Sequence, residues 1–227
     1  MTQSPCHEMP AHAYYPLFAD LRTRPCVVVG GGMVAQRKVM MLLRCGARVT
    51  VISPTLTRRL AAHARAGRIR AVLRTFRPSD LRGAWLVYAA TNQAGINTRV
   101  FRAASARRIF TNVVDQKPLC SFIAPAIFQR GPLTIAVSTG GASPTLAKRL
   151  RRELGRTIGT EYVPMLRLLA ELRDVAKRTL PSYRDRMRYF DRVVSGRAFE
   201  LVRAGRYRQA KTAAVALLER AAARNGA

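Results

Sequence analysis

Residues 25–38, PCVVVGGGMVAQRK, carry a short β-branched run through three consecutive glycines directly into a helical pattern. Few local sequences restrict a fold so tightly. Gly30, Gly32 and Ala35 fall at the G-x-G-x-x-A spacing, with Gly31 between the first two. In that spacing the first glycine permits a tight turn, the second lets a pyrophosphate approach the backbone, and the small third residue lets helix pack on strand. Phosphates then sit on the free N–H groups at the helix N-terminus. A glycine turn that only connects strand to helix is the competing reading. The strand before it and the amphipathic helix after it (Val34, Lys38, Met41, Leu42) weigh against that reading.

The order of elements extends the argument. Cys45–Gly46 ends the first helix, and Arg48–Ile52 (RVTVI) reads as a second strand. Ser53–Pro54–Thr55 opens a helix through Ala66, Ile69–Leu73 is a third strand, and Trp85–Ala90 a fourth that ends at Thr91–Asn92. A helix over Gln93–Arg107 leads to a fifth strand, Ile109–Val114. Strands alternating with helices of this length predict a parallel sheet with right-handed crossovers. Ligands of such sheets bind at the carboxyl ends of the strands, which here carry the glycines, Ser53, Thr91–Asn92 and Asp115.

After Asp115 the rhythm changes. Ser121–Phe128 and Leu133–Val137 read as a hairpin outside the parallel sheet, with Arg130–Gly131 as its turn. Ser138-Thr139-Gly140-Gly141 follows, then Ser143–Pro144 as N-cap and first helical residue. From there the pattern is helical to Ala227, broken near Pro181 and near Ser195–Gly196. The fold class expected is α/β: a Rossmann-type parallel sheet, a small β/loop region and an all-helical C-terminal domain. The corresponding boundaries are a flexible leader at 1–13, the dinucleotide domain at 14–114, the hairpin region at 115–150 and the helical domain at 151–227.

Composition excludes several classes. Cys6, Cys26, Cys45 and Cys120 lie far apart with no C-x-x-C, so they read as reduced, partly buried thiols rather than a disulfide scaffold or zinc site. His7, His12 and His63 show no ligand spacing, and no metal site is expected. No run approaches the roughly 18 apolar residues of a membrane span, and the N-terminus lacks a signal pattern, so a soluble cytoplasmic protein is expected. The charge is extreme, 40 Lys and Arg against 12 Asp and Glu, formally +28. That balance favours a polyanionic partner, whether nucleic acid, membrane surface or a small polycarboxylate. Arginines spread over solvated faces with no specific partner fit the same number.

Between Asp80 and Glu153 the chain holds one carboxylate, Asp115, set among arginines where the fifth strand leaves the sheet. It fits either a base beside a bound nicotinamide, held ionised by nearby cations, or the cap of a turn before Pro118. Asn112 on the same strand fits a ligand contact or local backbone satisfaction, and Ser121 joins it as a substrate-side candidate. Ser138–Gly141 has the composition of an anion nest, though any glycine loop before an N-cap shares it. Where an acid usually holds the ribose hydroxyls of NAD, this chain has Ser53, so the choice between NAD and NADP stays open. Arg58 and Arg59, a turn further on, fit either a 2′-phosphate or a solvated helix face.

The segments GGG-x-VA-x-RK, NVVD, CSFI-x-P and STGG-x-SP-x-LA occur in unbroken order within residues 15–154. Together they resemble the precorrin-2 dehydrogenase/sirohydrochlorin ferrochelatase family, which also forms the N-terminal half of bacterial siroheme synthase. The resemblance implies NAD as cofactor, a dimerisation region that holds the hairpin, a homodimer, and a helical domain that helps to cover the tetrapyrrole. It puts Asp115 on the family's catalytic aspartate, and Met33–Val34 and Pro54–Thr55 on cofactor-contacting positions. Thr139 stands where relatives have a phosphorylatable serine, which leaves modification in doubt. No methyltransferase segment is present, so a separate enzyme is expected to supply precorrin-2.

The function implied is NAD-dependent dehydrogenation of precorrin-2 to sirohydrochlorin, with Fe2+ insertion as a second activity for which no His/Cys cluster exists. The basic surface then meets a polycarboxylate substrate. The rival is a nucleotide-sensing module whose basic tail binds nucleic acid, with Tyr162, Tyr183, Tyr189, Phe190 and Tyr207 interleaved among arginines. No helix-turn-helix or RNA-binding signature accompanies them, and aromatic residues at helical spacing are more often core.

Overall fold

The computed structural model of the chain describes residues 14–224; the expected leader, with His7 and His12, lies outside the described residues. By internal packing the chain divides into two units. One comprises the residues up to Ala124 with Gly140–Ala142, the other Pro125–Thr139 with Ser143 onward.

The first unit holds five parallel strands in the order β3-β2-β1-β4-β5. They are β1 (Pro25–Val29), β2 (Arg48–Ile52), β3 (Arg70–Val72), β4 (Leu86–Ala89) and β5 (Phe110–Val113). Helices α1 (Met33–Arg44), α2 (Arg58–Arg65) and α3 (Ala94–Ser105) make the crossovers. Because successive residues of a strand point to opposite faces, β1 feeds two cores at once. Val27 and Val29 join Ile52, Val87, Val100 and Val113 on one face. Cys26 and Val28 join Ala35, Val39, Val51 and Leu60 on the other. The sheet's amino edge is closed at Trp85, whose amide donates to the Pro25 carbonyl (2.9 Å). The Arg24 guanidinium covers the Trp85 ring at 3.9 Å.

Two expected elements shift. The helix expected from Ser53 begins only at Arg58, with Thr57 as its N-cap. The Thr57 amide donates to the Gly31 carbonyl (3.0 Å), which holds 53–57 as a turn. The first hairpin strand is β6 (Ala126–Arg130), not Ser121–Phe128. Ser121 is tied instead to β5, its amide donating to the Thr111 carbonyl (2.8 Å), and Pro125 offers no N–H to a ladder. One thiol also departs from expectation, since Cys45 is exposed while Cys26 is buried.

In the second unit β6 pairs antiparallel with β7 (Leu133–Val137), so the turn is Gly131–Pro132 and Arg130 lies within the strand. Helices follow: α4 (Pro144–Thr157), α5 (Tyr162–Thr179), α6 (Tyr183–Ser195), α7 (Arg197–Arg203) and α8 (Tyr207–Ala223). The breaks near Pro181 and Gly196 stand as expected, and two further breaks separate α4 from α5 and α7 from α8. The first is held by Arg130, whose guanidinium donates to the carbonyls of Ile158 and Gly155 and so satisfies the end of α4. Met165, Leu168, Leu172, Leu180, Tyr189, Val193, Leu201 and Leu218 form the helical core.

Tyr189 is 2% exposed, and its hydroxyl donates to the Ala214 carbonyl at 3.1 Å. Burial pushes its phenol up to about 12. The unfolded chain releases this proton near pH 10, so the stability from keeping Tyr189 neutral is complete below that value and is lost between about pH 10 and 12. Tyr189→Phe is expected to lose about 1 kcal/mol at pH 8, the worth of one buried hydrogen bond. Urea unfolding at pH 8 and pH 11 checks both effects. The wild type should lose about 1 kcal/mol more than the variant over that interval, and equal losses would show that Tyr189 ionises freely.

Candidate functional site

The glycine run divides three tasks among its members. Gly30 ends β1 at φ +123°, and a Cβ there would stand 2.3 Å from the Ala90 carbonyl oxygen, so only glycine makes this turn. At Gly31 a Cβ would lie 1.8 Å from the Thr55 carbonyl oxygen and 2.8 Å from the Ser53 hydroxyl. This residue, a free position in the G-x-G-x-x-A spacing, is therefore the one most tightly closed on protein. Gly32 is the N-cap of α1, and a Cβ on it would meet nothing within 4 Å. No side chain caps that terminus and no acid occupies its first turn. The open space before an uncapped helix N-terminus fits a dinucleotide pyrophosphate. Ala35 is fully buried against the sheet, as the third position requires.

The neighbouring strand ends complete this edge. Ser53 is buried with its amide on the Val72 carbonyl (3.1 Å), whereas Pro54 and Thr55 are exposed. The Thr57 hydroxyl donates to Gln36 Oε1 (2.7 Å), which ties α1 to the start of α2. At the end of β4 the Thr91 hydroxyl donates to Asn97 Oδ1 (2.7 Å), and Asn97 Nδ2 donates to the Thr91 carbonyl (3.0 Å). Asn92, beside this closed loop, is exposed, as is Met33; Val34 is half-buried.

Asp115 follows β5 in the left-handed region, φ +59°, a conformation that Asp tolerates better than most residues. Lys38 reaches this strand end from α1. Its ammonium lies 4.8 Å from the centre of the Tyr88 ring. Burial pushes the Lys38 pKa down and Arg37 adds to that, while Asp115 and Cys120 oppose it. Sequence reasoning gave Lys38 no role beyond its helix face, and its place in the G-G-G-x-V-A-x-R-K run was the available signal. Lys117, two residues past Asp115, donates to the Gly140 carbonyl (2.9 Å), which brings Gly140–Gly141 to the same loop.

Other candidates have local work. Asn112 Nδ2 donates to the Phe122 carbonyl (2.9 Å), the backbone-satisfying one of its two readings. The Ser121 hydroxyl accepts from the Thr111 amide (2.7 Å). The Thr139 hydroxyl accepts from the Ser143 amide (3.0 Å) and donates to the Ser143 carbonyl (3.1 Å), bracing the start of α4, while Ser138 is exposed. Arg58 and Arg59 are both exposed.

Comparison with known proteins finds similarity along most of the chain. The family described as putative NAD(P)-binding matches residues 17–126. The sirohaem biosynthesis protein central region matches 130–157, and the sirohaem synthase dimerisation region matches 161–218. Siroheme synthase 1 of Pectobacterium atrosepticum is 43% identical over 198 residues, 87% of this chain and 41% of that protein. Siroheme synthase of Methylobacillus flagellatus is 43% identical over 198 residues, 87% of this chain and 42% of that protein. The chain thus spans about two fifths of the length of these relatives. Among solved structures, SirC, a precorrin-2 dehydrogenase, superposes with a TM-score of 0.72 at 26% identity, covering 88% of this chain and 98% of its own. In sequence order the chain thus carries a putative NAD(P)-binding region, a sirohaem biosynthesis protein central region and a sirohaem synthase dimerisation region, and over most of its length it is similar to the corresponding part of the siroheme synthases and to SirC.

Proposed function

We propose that this chain binds NAD and dehydrogenates precorrin-2 to sirohydrochlorin in siroheme synthesis, working as a homodimer. The observation that carries the reading is the meeting of the Gly30–Gly32 cradle and Asp115 at the carboxyl edge of one parallel sheet. The likeness to SirC and the sirohaem synthase dimerisation region supports the substrate and the dimer. Of the five aromatic residues behind the nucleic-acid rival, Tyr189 is core and Phe190 and Tyr207 pack against that core, while Tyr162 and Tyr183 are exposed, the first beside Phe199 and the second beside Arg186.

When bound, NAD supplies the hydride acceptor. The chain's own part is to hold and to deprotonate. Space before Gly32 and the N-terminus of α1 receive the pyrophosphate, with Ser53–Pro54–Thr55 on the ribose side and Thr91–Asn92 across from it. Loss of hydride from the macrocycle leaves a proton to be removed, and Asp115 takes it. Lys38 acts as a positioning residue, presenting a cation toward the Asp115 carboxylate from the packed face of α1. A surface of formal charge +28 draws in the polycarboxylate substrate.

The glycines separate fold from cofactor. Gly32→Val should fold and lose NAD affinity, because its side chain fills the cradle, whereas Gly31→Val should lower the melting temperature sharply by colliding with Thr55. Calorimetric NAD titration and thermal unfolding of the two variants check this, and unchanged NAD affinity in folded Gly32→Val would remove the cradle assignment.

Asp115→Ala should keep NAD affinity and cut dehydrogenase turnover by roughly 10²-fold or more. Lys38→Met should lower kcat with little change in NAD affinity, Lys38→Arg should restore part of it, and in an Asp115→Asn background Lys38→Met should add little further loss. Turnover with precorrin-2 and NAD+, and separately Fe2+ insertion into sirohydrochlorin, is the measurement. Near-normal dehydrogenation by Asp115→Ala would demote the residue to a turn cap.

A further inference from the structure

The outer face of the first unit carries a groove of about 930 Å³ between α1 and α2. From α1 it is lined by Gln36, Arg37 and Arg44 over an apolar floor of Met40 and Leu43, from α2 by Arg59 and His63, and beyond α2 by Arg68. Four guanidinium groups and an imidazole thus surround one cavity. No acid lines it. Each described acid of this unit is engaged elsewhere: Asp20 pairs with Arg22, Asp80 with Arg74, and Asp115 stands in the field of Lys38. The four arginines take part in no ion pair among the described residues.

Like charges gathered without a counter-charge repel one another, and the clustering lowers the free energy of the protein only when an anion joins it. Arginine is also the side chain whose planar fork matches phosphate and carboxylate oxygens in pairs. The dimensions limit the partner. Helix α1, of 12 residues, is about 18 Å long and α2, of 8 residues, about 12 Å. A cavity of this volume falls in the range of small-molecule sites. Its cations run from Arg37 in the second turn of α1 to Arg44 at the end of that helix and Arg68 beyond α2.

We infer that the α1/α2 groove is a binding site for a small polyanion bearing two or more phosphate or carboxylate groups. The site is separate from the dinucleotide cradle and stands whether or not the dehydrogenase reading holds. The helix face that carries it is opposite in kind to the glycine edge: side chains, not backbone amides, would hold the ligand, so affinity depends on individual arginines.

Calorimetric titration with tripolyphosphate and, separately, with citrate at about 0.15 M salt tests the inference, under conditions where surface charges beyond about 8 Å are screened. Saturable binding of one equivalent is expected, and the tighter of the two probes identifies the anion class. The double variant Arg44→Gln/Arg68→Gln should bind at least about tenfold more weakly, the loss of charge-assisted hydrogen bonds, with NAD affinity unchanged. Arg173→Gln/Arg178→Gln, which removes equal charge from α5, should bind as the wild type. Equal weakening in both variants, absence of saturation with either probe, or a parallel loss of NAD affinity would overturn the site. So would a single-stranded oligonucleotide that binds more tightly than tripolyphosphate and loses its affinity in the Arg44/Arg68 variant, because the groove would then be part of a nucleic-acid surface.

Discussion

Where Gly31 meets Thr55 the backbones approach so closely that a Cβ would stand 1.8 Å from the carbonyl oxygen, and the loop after β1 can close over the turn after β2 only across a bare α-carbon. That closure fixes the remainder of the cofactor edge. It sets Gly31's carbonyl to receive the Thr57 amide, which delays α2 until Arg58. It also leaves Thr57 placed to reach Gln36 and so to lock the second turn of α1. With α1 held, Gly32 opens onto space and Lys38 is directed over Tyr88 toward the end of β5. A contact between two backbones, with no apolar burial of its own, thereby sets the positions on which cofactor and proton chemistry depend.

Much of this was legible in the chain. The strand, glycine and helix order of the first unit follows from β-branched runs and period, and β2 was read to its residue limits. Elements displaced from expectation owe their position to contacts distant in sequence. Nothing within Ser53–Ala66 announces that Gly31 will capture Thr57, and nothing within Ser121–Phe128 announces that Ser121 will bond to Thr111. The break after α4 depends on Arg130, 28 residues before the carbonyl of Ile158 that it caps. Gly205, by contrast, was a local signal for the break before α8. At the candidate site the glycines and Asp115 were readable from type and spacing, whereas Lys38 emerges only once α1 is packed against β4 and β5.

Charge plays little part in holding either unit together. Glu153, Glu171, Asp185 and Glu200 of the helical unit pair with basic side chains on helix surfaces, as Arg149 with Glu153 and Arg167 with Glu171, where a pair contributes only a few tenths of a kcal/mol to about 1 kcal/mol. The remaining cations oppose compaction through mutual repulsion, and the apolar cores on both faces of the sheet and among α5–α8 offset that opposition. So large an imbalance is better understood as a property kept for partners than as a means of stability.

The contact of Arg24 with Trp85 has an experimental consequence. Trp85 is the chain's single tryptophan, it sits where β1 and β4 begin, and a guanidinium lies on its ring at 3.9 Å. Its fluorescence is therefore a built-in optical marker of the parallel sheet alone, while helix content measured in the far ultraviolet is weighted toward α4–α8. One sample followed by both signals would reveal, without labels or truncation, whether the nucleotide-binding unit and the helical unit melt in one cooperative step or in two.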